Sequence, residues 1–152
     1  MLSEGSFEWP ILLVEDNPDD ALIAERAMSK GHVKSWLFIV GDGEEALKFF
    51  RKEGQYKNLP RPAVALLDLK MPKVNGFGVL EQVKRDDSLR SIPIVVLTSS
   101  DRDEDISRAY TLGCNSYVVK STDFQEFAKI IEEVKHYWLE VSKIQADRYH
   151  EG

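Results

Sequence analysis

Ile11-Leu12-Leu13-Val14-Glu15-Asp16-Asn17-Pro18-Asp19-Asp20 decides the fold of this chain. Ile11-Leu12-Leu13-Val14 is an unbroken apolar run, too short for a helix and suited to a strand buried on both faces. It breaks off at Glu15 and Asp16. Asn17 then caps a helix, Pro18 takes its first turn, and Asp19 and Asp20 face the positive end of the helix dipole. Leu22, Ile23, Arg26 and Ala27 continue at helical spacing until Gly31 stops the helix. A buried strand that turns through a polar corner into a helix opens a βα unit.

The same unit recurs along the chain. Trp36-Leu37-Phe38-Ile39-Val40 reads as a second strand, Gly41-Asp42-Gly43 as a turn, and 44–52 as a helix with Ala46, Leu47 and Phe50 inward. Polar 54–62, with two prolines, reads as a loop. Ala63-Val64-Ala65-Leu66-Leu67 ends at Asp68, and Gly76 opens a helix carrying Phe77, Val79, Leu80 and Val83. Pro93-Ile94-Val95-Val96-Leu97 ends at Thr98-Ser99-Ser100; Asp101 is placed to cap a helix that Gly113 stops. Ser116-Tyr117-Val118-Val119 ends at Lys120, and Thr122-Asp123 starts a long helix with a stripe of Phe124, Phe127, Ile131, Val134, Trp138 and Val141. Strands alternating with helices imply a doubly wound parallel sheet covered on both faces.

Composition narrows the classes. The 152 residues hold 20 Lys+Arg against 26 Asp+Glu, a net charge of −6, which disfavours nucleic acid and anionic membranes as partners. No apolar run approaches a bilayer span, and the N-terminus has no signal-peptide pattern. Cys114 stands alone, which rules out an internal disulfide and suits a reducing cytoplasm.

In such a sheet, ligands bind at the carboxyl ends of the strands. Those ends here carry Glu15 and Asp16, then Asp68, Thr98 and Lys120. Each alone has an ordinary reading, as a turn acid, a β-favouring hydroxyl or a solvated lysine. Together they match one task. Clustered carboxylates repel unless a cation joins them, and hard oxygens without His or Cys favour Mg²⁺, which keeps open positions for phosphate oxygens. Lys120 and Thr98 could meet further phosphoryl oxygens. With no Gly-rich phosphate loop in the sequence, the phosphoryl group does not belong to a bound nucleotide. Asp68, between the acidic pair and Lys120, is the best candidate for a carboxylate nucleophile.

These pieces resemble the receiver domain of two-component response regulators. The resemblance is carried by Ile11 to Asn17, Leu67-Asp68-Leu69-Lys70-Met71-Pro72 with Asn75-Gly76, Pro93 to Ser99, and Tyr117-Val118-Val119-Lys120. It implies a flavodoxin-like (βα)5 fold with strand order 2-1-3-4-5, a receiver over 10–145, and tails at 1–9 and 146–152. It also implies that Asp68 accepts the phosphoryl group, and that Asp16, Asp68 and the Lys70 backbone carbonyl ligate Mg²⁺ with Glu15 acting through water. Lys120 would pair with the phosphoryl group, Thr98 would move toward it, and Tyr117 would be the coupled aromatic switch, against the plainer reading of a strand aromatic packed on a neighbour.

Two features depart from or refine the pattern. The family usually has a cis proline after the lysine, whereas Ser121 stands here, so the bond geometry and the aim of Lys120 are open. Lys70 and Ser100 occupy the positions that flank the attacking water, and neither orients water well, which implies slow self-dephosphorylation. The 32 residues after Lys120 hold one helix and no output module, so output is expected by contact or phosphorelay. Ile130, Tyr137 and Ile144 lie off the last helix's stripe or past the sheet. They read either as a longer core helix with a frayed tail or, favoured because large apolar residues need cover, as an interface, for which a homodimer through the fourth helix, fifth strand and fifth helix is one form. The ending His136-Tyr137-Trp138-Leu139 and the 54–62 loop are similar to single-domain regulators paired with bacterial phytochromes, whose partner is a sensor histidine kinase.

Three other functions fit parts of the pattern. An aspartyl-nucleophile phosphatase wants a second acid where Lys70 stands. A flavin binder would have its phosphate repelled by the acidic corner at 15–20. A phosphorylation-independent interaction module is disfavoured by the full acidic set, although Ser121 keeps it open.

Overall fold

Ten regular elements alternate through the chain in a computed structural model that describes residues 8–144. β1 is Trp9–Val14, α1 Pro18–Met28, β2 Ser35–Val40, α2 Gly43–Arg51, β3 Val64–Leu67, α3 Gly76–Arg85, β4 Ile94–Thr98, α4 Asp103–Thr111, β5 Ser116–Val119 and α5 Phe124–His136. All neighbouring strands pair in parallel, in the order 2-1-3-4-5. This is the flavodoxin-like receiver fold implied by the sequence.

The central strands β1, β3 and β4 are almost wholly apolar because both faces of the sheet are covered there, whereas the edge strands β2 and β5 leave Trp36, Ile39 and Val119 exposed. On one face, Leu12, Val14, Ala65, Leu67, Ile94 and Val96 pack under α2, α3 and α4. On the other, Ile11, Leu13, Val64, Leu66, Val95 and Leu97 pack under α1 and α5. Alternate residues of one strand therefore supply two separate cores.

The local signals explain most boundaries. Asn17 caps α1, its side chain accepting from the Asp19 and Asp20 amides at 2.9 and 3.2 Å. Asp42 caps α2, Asn75 caps α3 and Asp123 caps α5 in the same manner. The loop at 54–62 contains a short 3-10 turn at Gly54–Tyr56. Gly76 is needed for closeness, since a Cβ there would lie 2.2 Å from the Asp68 carbonyl oxygen. Its absence lets α3 start against the end of β3.

Several expectations are corrected. β1 begins at Trp9, inside the expected tail, because the Trp9 amide donates to the Lys34 carbonyl at 3.1 Å. Leu22 faces outward, and Ala24, Ala27 and Met28 form the inner face of α1. Asp101 does not cap α4, which follows Arg102. Instead the Ser100 hydroxyl donates to Asp105 at 2.6 Å and accepts from the Arg102 amide. The expected tail at 146–152 lies outside the described residues.

The largest correction concerns the last helix. Phe124 and Val141 are exposed, at 69% and 54%. Phe127, Ile131, Lys135 and Leu139 face inward, with Val134 and Trp138 half-buried beside them. The inward set steps by four, and Phe124, the first residue of α5, and Val141, five residues past its end, fall outside it. The last turn, Tyr137–Val141, is π-helical, and Ile144 packs back on the core. Lys135 is tolerated inside because its ammonium donates to the Met28 and Lys30 carbonyls at 2.7 and 2.6 Å, closing the open end of α1. Burial lowers its pKa. Lys135→Met leaves those carbonyls unpaired and is expected to cost about 1–3 kcal/mol in urea unfolding, with helix content retained; an unchanged midpoint contradicts this role.

Candidate functional site

The parallel ladder brings the polar strand ends to one rim. The Glu15 amide donates to the Val40 carbonyl at 2.9 Å, the Asp68 amide to that of Val14 at 3.1 Å, and the Lys120 amide to that of Thr98 at 2.7 Å. Each rim residue is thus fixed by a bond to the neighbouring strand. Gly76 fixes Asp68 from behind.

Glu15, Asp16 and Asp68 each offer a carboxylate oxygen within 4.8 Å of the others. Glu15 and Asp68 are buried and Asp16 is exposed. Two buried carboxylates side by side need a compensating charge. Lys120 supplies it: its Nζ donates to Glu15 at 2.5 Å, Asp20 at 2.9 Å and Asp68 at 3.3 Å. The Lys120–Ser121 peptide bond is trans, so the aim left open by the missing proline is met without a cis bond. Ser121 serves the start of α5, donating to Glu126 at 2.9 Å and accepting from the Asp123 amide at 3.1 Å.

The electrostatics follow from burial. Loss of water pushes the Glu15 carboxyl up to about 7, despite the opposing pull of Lys120. Burial alone would push Lys120 down. Its bonds to Glu15 and Asp20 and the charges of Asp68 and Glu15 outweigh that and hold it above the ordinary lysine range.

Thr98 is fully buried, and its Oγ1 is the only side-chain polar atom among the described residues buried without a hydrogen-bond partner. The Tyr117 hydroxyl donates to the Ser100 carbonyl at 2.9 Å, while its half-buried ring packs on the core. Ser100 is turned toward α4 by its bond to Asp105. The Lys70 side chain is exposed, and its amide donates to Asp68 Oδ1 at 3.3 Å.

The rim thus gathers Glu15, Asp16, Asp68 and Lys120, as the strand ends predict. Asp20 was missed. It was assigned only to the helix dipole, yet α1 starts at the same rim, and a carboxylate in its first turn reaches back over the strand ends. That geometry was available in the strand–corner–helix reading.

The family model for the response regulator receiver domain matches residues 11–132. The chain is 45% identical over 137 residues to a probable methanogenesis regulatory protein, FilR2, of Methanothrix harundinacea, covering 90% of this chain and 87% of that protein. It is 36% identical to response regulator Rcp1 of Synechocystis over 96% of this chain and 99% of Rcp1. The crystal structure of Mn²⁺-bound Rcp1 matches with a TM-score of 0.86 at 35% identity, over 90% of this chain and 98% of that one. The phosphorylated cyanobacterial phytochrome response regulator RcpA matches with a TM-score of 0.89 at 36% identity, over 91% of this chain and 99% of that one. With a buried acidic cluster at the strand ends, a lysine set across it and relatives matched over nearly their whole length, the chain belongs to the response regulator receiver family.

Proposed function

We propose that this protein is a stand-alone cytoplasmic response regulator that accepts a phosphoryl group on Asp68 from a phosphohistidine of a sensor histidine kinase, of phytochrome type. The observation that carries this reading is the buried pairing of Asp68 and Glu15 with Lys120, beside Asp16 and an unpartnered Thr98 hydroxyl. In the transfer, an Asp68 carboxylate oxygen attacks phosphorus, an O–P bond forms, and the P–N bond to the donor imidazole breaks. Lys120 donates to one phosphoryl oxygen. Thr98 Oγ1 donates to another and so gains the partner it lacks. That gain is the differential contact that favours the switched state. Ser100, on the β4–α4 connection, is bonded through its carbonyl to Tyr117 of β5 and through its hydroxyl to Asp105 of α4, and this linkage carries the change to α4.

The donor set fits Mg²⁺: hard carboxylate oxygens from Asp16 and Asp68, the Lys70 carbonyl, and Glu15 acting through water. Mg²⁺ supplies positive charge against the phosphoryl oxygens when bound. With Ser100 tied to Asp105 and Lys70 exposed, neither side chain orients a hydrolytic water, which favours a long-lived acyl phosphate. Exposed Tyr110, Val119 and Phe124 lie on α4, β5 and α5, and support a two-fold dimer through those elements.

Treatment with acetyl phosphate and Mg²⁺ is expected to add about 80 Da to the wild type by intact mass, and nothing to Asp68→Asn. No adduct, or an equal adduct on the variant, contradicts the reading. In the same samples, loss of the adduct within seconds contradicts the long lifetime, and sedimentation as a monomer in both forms contradicts the dimer.

Burial raises the Glu15 carboxyl from 4.5 to about 7, so the fold binds its proton more tightly than the unfolded chain does. The resulting stabilisation of the metal-free fold is full below about pH 4.5 and is lost as pH rises through about 7. Mg²⁺ competes with that proton. Its affinity is expected to be about tenfold weaker at about pH 5.5 than at about pH 7.5 by isothermal titration, and Glu15→Gln should flatten the dependence. The same slope in the variant would place the competing proton elsewhere.

A further inference from the structure

Asp20 has no part in the acceptor, metal or switch sets above, yet it holds the lysine on which they depend. An ammonium has three donors, and those of Lys120 meet Glu15, Asp20 and Asp68. A phosphoryl group on Asp68 replaces the single carboxylate charge with between one and two on the acyl phosphate, a net gain of at most about one, and brings three strong acceptors. For Lys120 to donate to it, at least one present bond must break. Glu15 and Asp68 are the carboxylates that approach the metal, so they remain beside the phosphoryl group. Asp20 stands apart on α1. Its amide is bound to the Asn17 cap at 3.2 Å, which pins its backbone in the first helical turn. The lysine side chain lies 9% exposed and that of Asp20 24%, so water screens their contact only in part.

We propose that Asp20 is a positioning residue that parks Lys120 in the unphosphorylated protein. It stabilises that form, opposes the lysine's transfer to the phosphoryl group, and so sets how readily Asp68 loads. The inference rests on the phosphoryl-acceptor reading. It separates Asp20 from Asp19, its neighbour in sequence, which has the same charge and no contact with Lys120 among those the structure records.

The test uses the full chain with Asp20→Asn, Asp20→Glu, Asp19→Asn, Lys120→Met and the double variant Asp20→Asn/Lys120→Met. Urea unfolding without metal gives the coupling between Asp20 and Lys120 by a double-mutant cycle. A favourable coupling of about fivefold in the folding equilibrium is expected, the size of a partly screened ion pair. Loading by acetyl phosphate with Mg²⁺, followed by intact mass, should be about fivefold faster in Asp20→Asn and close to wild type in Asp20→Glu. Asp19→Asn should leave it within about twofold of wild type, since it removes equal charge without releasing the lysine. Absent coupling, unchanged loading in Asp20→Asn, or equal acceleration by Asp19→Asn overturns the parking role while the acceptor reading stands. A wild type that never loads overturns the acceptor reading, and the inference falls with it.

Discussion

One buried ammonium makes this site tenable. Glu15 ends β1 and Asp68 ends the adjacent β3, and both are withdrawn from water. Burying even one carboxylate costs several kcal/mol in effective terms unless it is paired. Lys120 reaches both from β5, two strands beyond Asp68 in the sheet, and takes in Asp20 from α1. The contact is therefore long-range in the chain and depends on the register of β1, β3, β4 and β5 together. A slip of one residue in any of them would turn a rim residue to the opposite face. The same lysine couples stability to function, because the charge that permits the metal-free rim is the charge that a phosphoryl group would claim.

The second element is the connection from β4 to α4. A buried hydroxyl without a partner costs about 1–3 kcal/mol, and Thr98 carries that cost in this state. Two residues further on, Ser100 is bound on both sides, through its carbonyl to Tyr117 and through its hydroxyl to Asp105. The segment thus carries an unpartnered hydroxyl at one residue and is tethered at the next but one. An acceptor arriving beside Thr98 would relieve the first and load the second. Under the proposed function, this is how a change at Asp68 reaches the surface of α4, where Tyr110 is exposed.

Much of this was legible in the sequence, for definite reasons. The central strand runs are almost wholly apolar, as a doubly covered sheet requires, and Asn17 and Asp123 mark helix starts by the hydrogen bonds they make. Glu15, Asp16, Asp68, Thr98 and Lys120 could be grouped at one rim because a parallel sheet sends all strand ends the same way. Contacts set by side-chain reach were not legible. Asp20 and Asp19 carry the same charge in the same turn, and only helix geometry turns one of them toward Lys120. Lys135 reads as a solvated charge until α5 lies against the end of α1 and its ammonium finds two free carbonyls. Phe124 and Val141 stand at the two ends of the last helix, at its first residue and at the close of a π-helical turn, where a regular 3.6-residue period says least. The trans Lys120–Ser121 bond likewise depends on where β5 delivers the lysine.

Under the proposed function, Lys120 is the cation exchanged between the carboxylate rim and a phosphoryl group on Asp68. This exchange is tested most directly by a crystal structure of the protein with Mg²⁺ and beryllofluoride, a mimic of the acyl phosphate. The expected structure has beryllium on Asp68, Lys120 Nζ donating to one fluoride and released from Asp20, and Thr98 Oγ1 donating to another. Beryllofluoride absent from Asp68, or bound there with Lys120 still on Glu15 and Asp20 and Thr98 still unpartnered, would contradict the exchange.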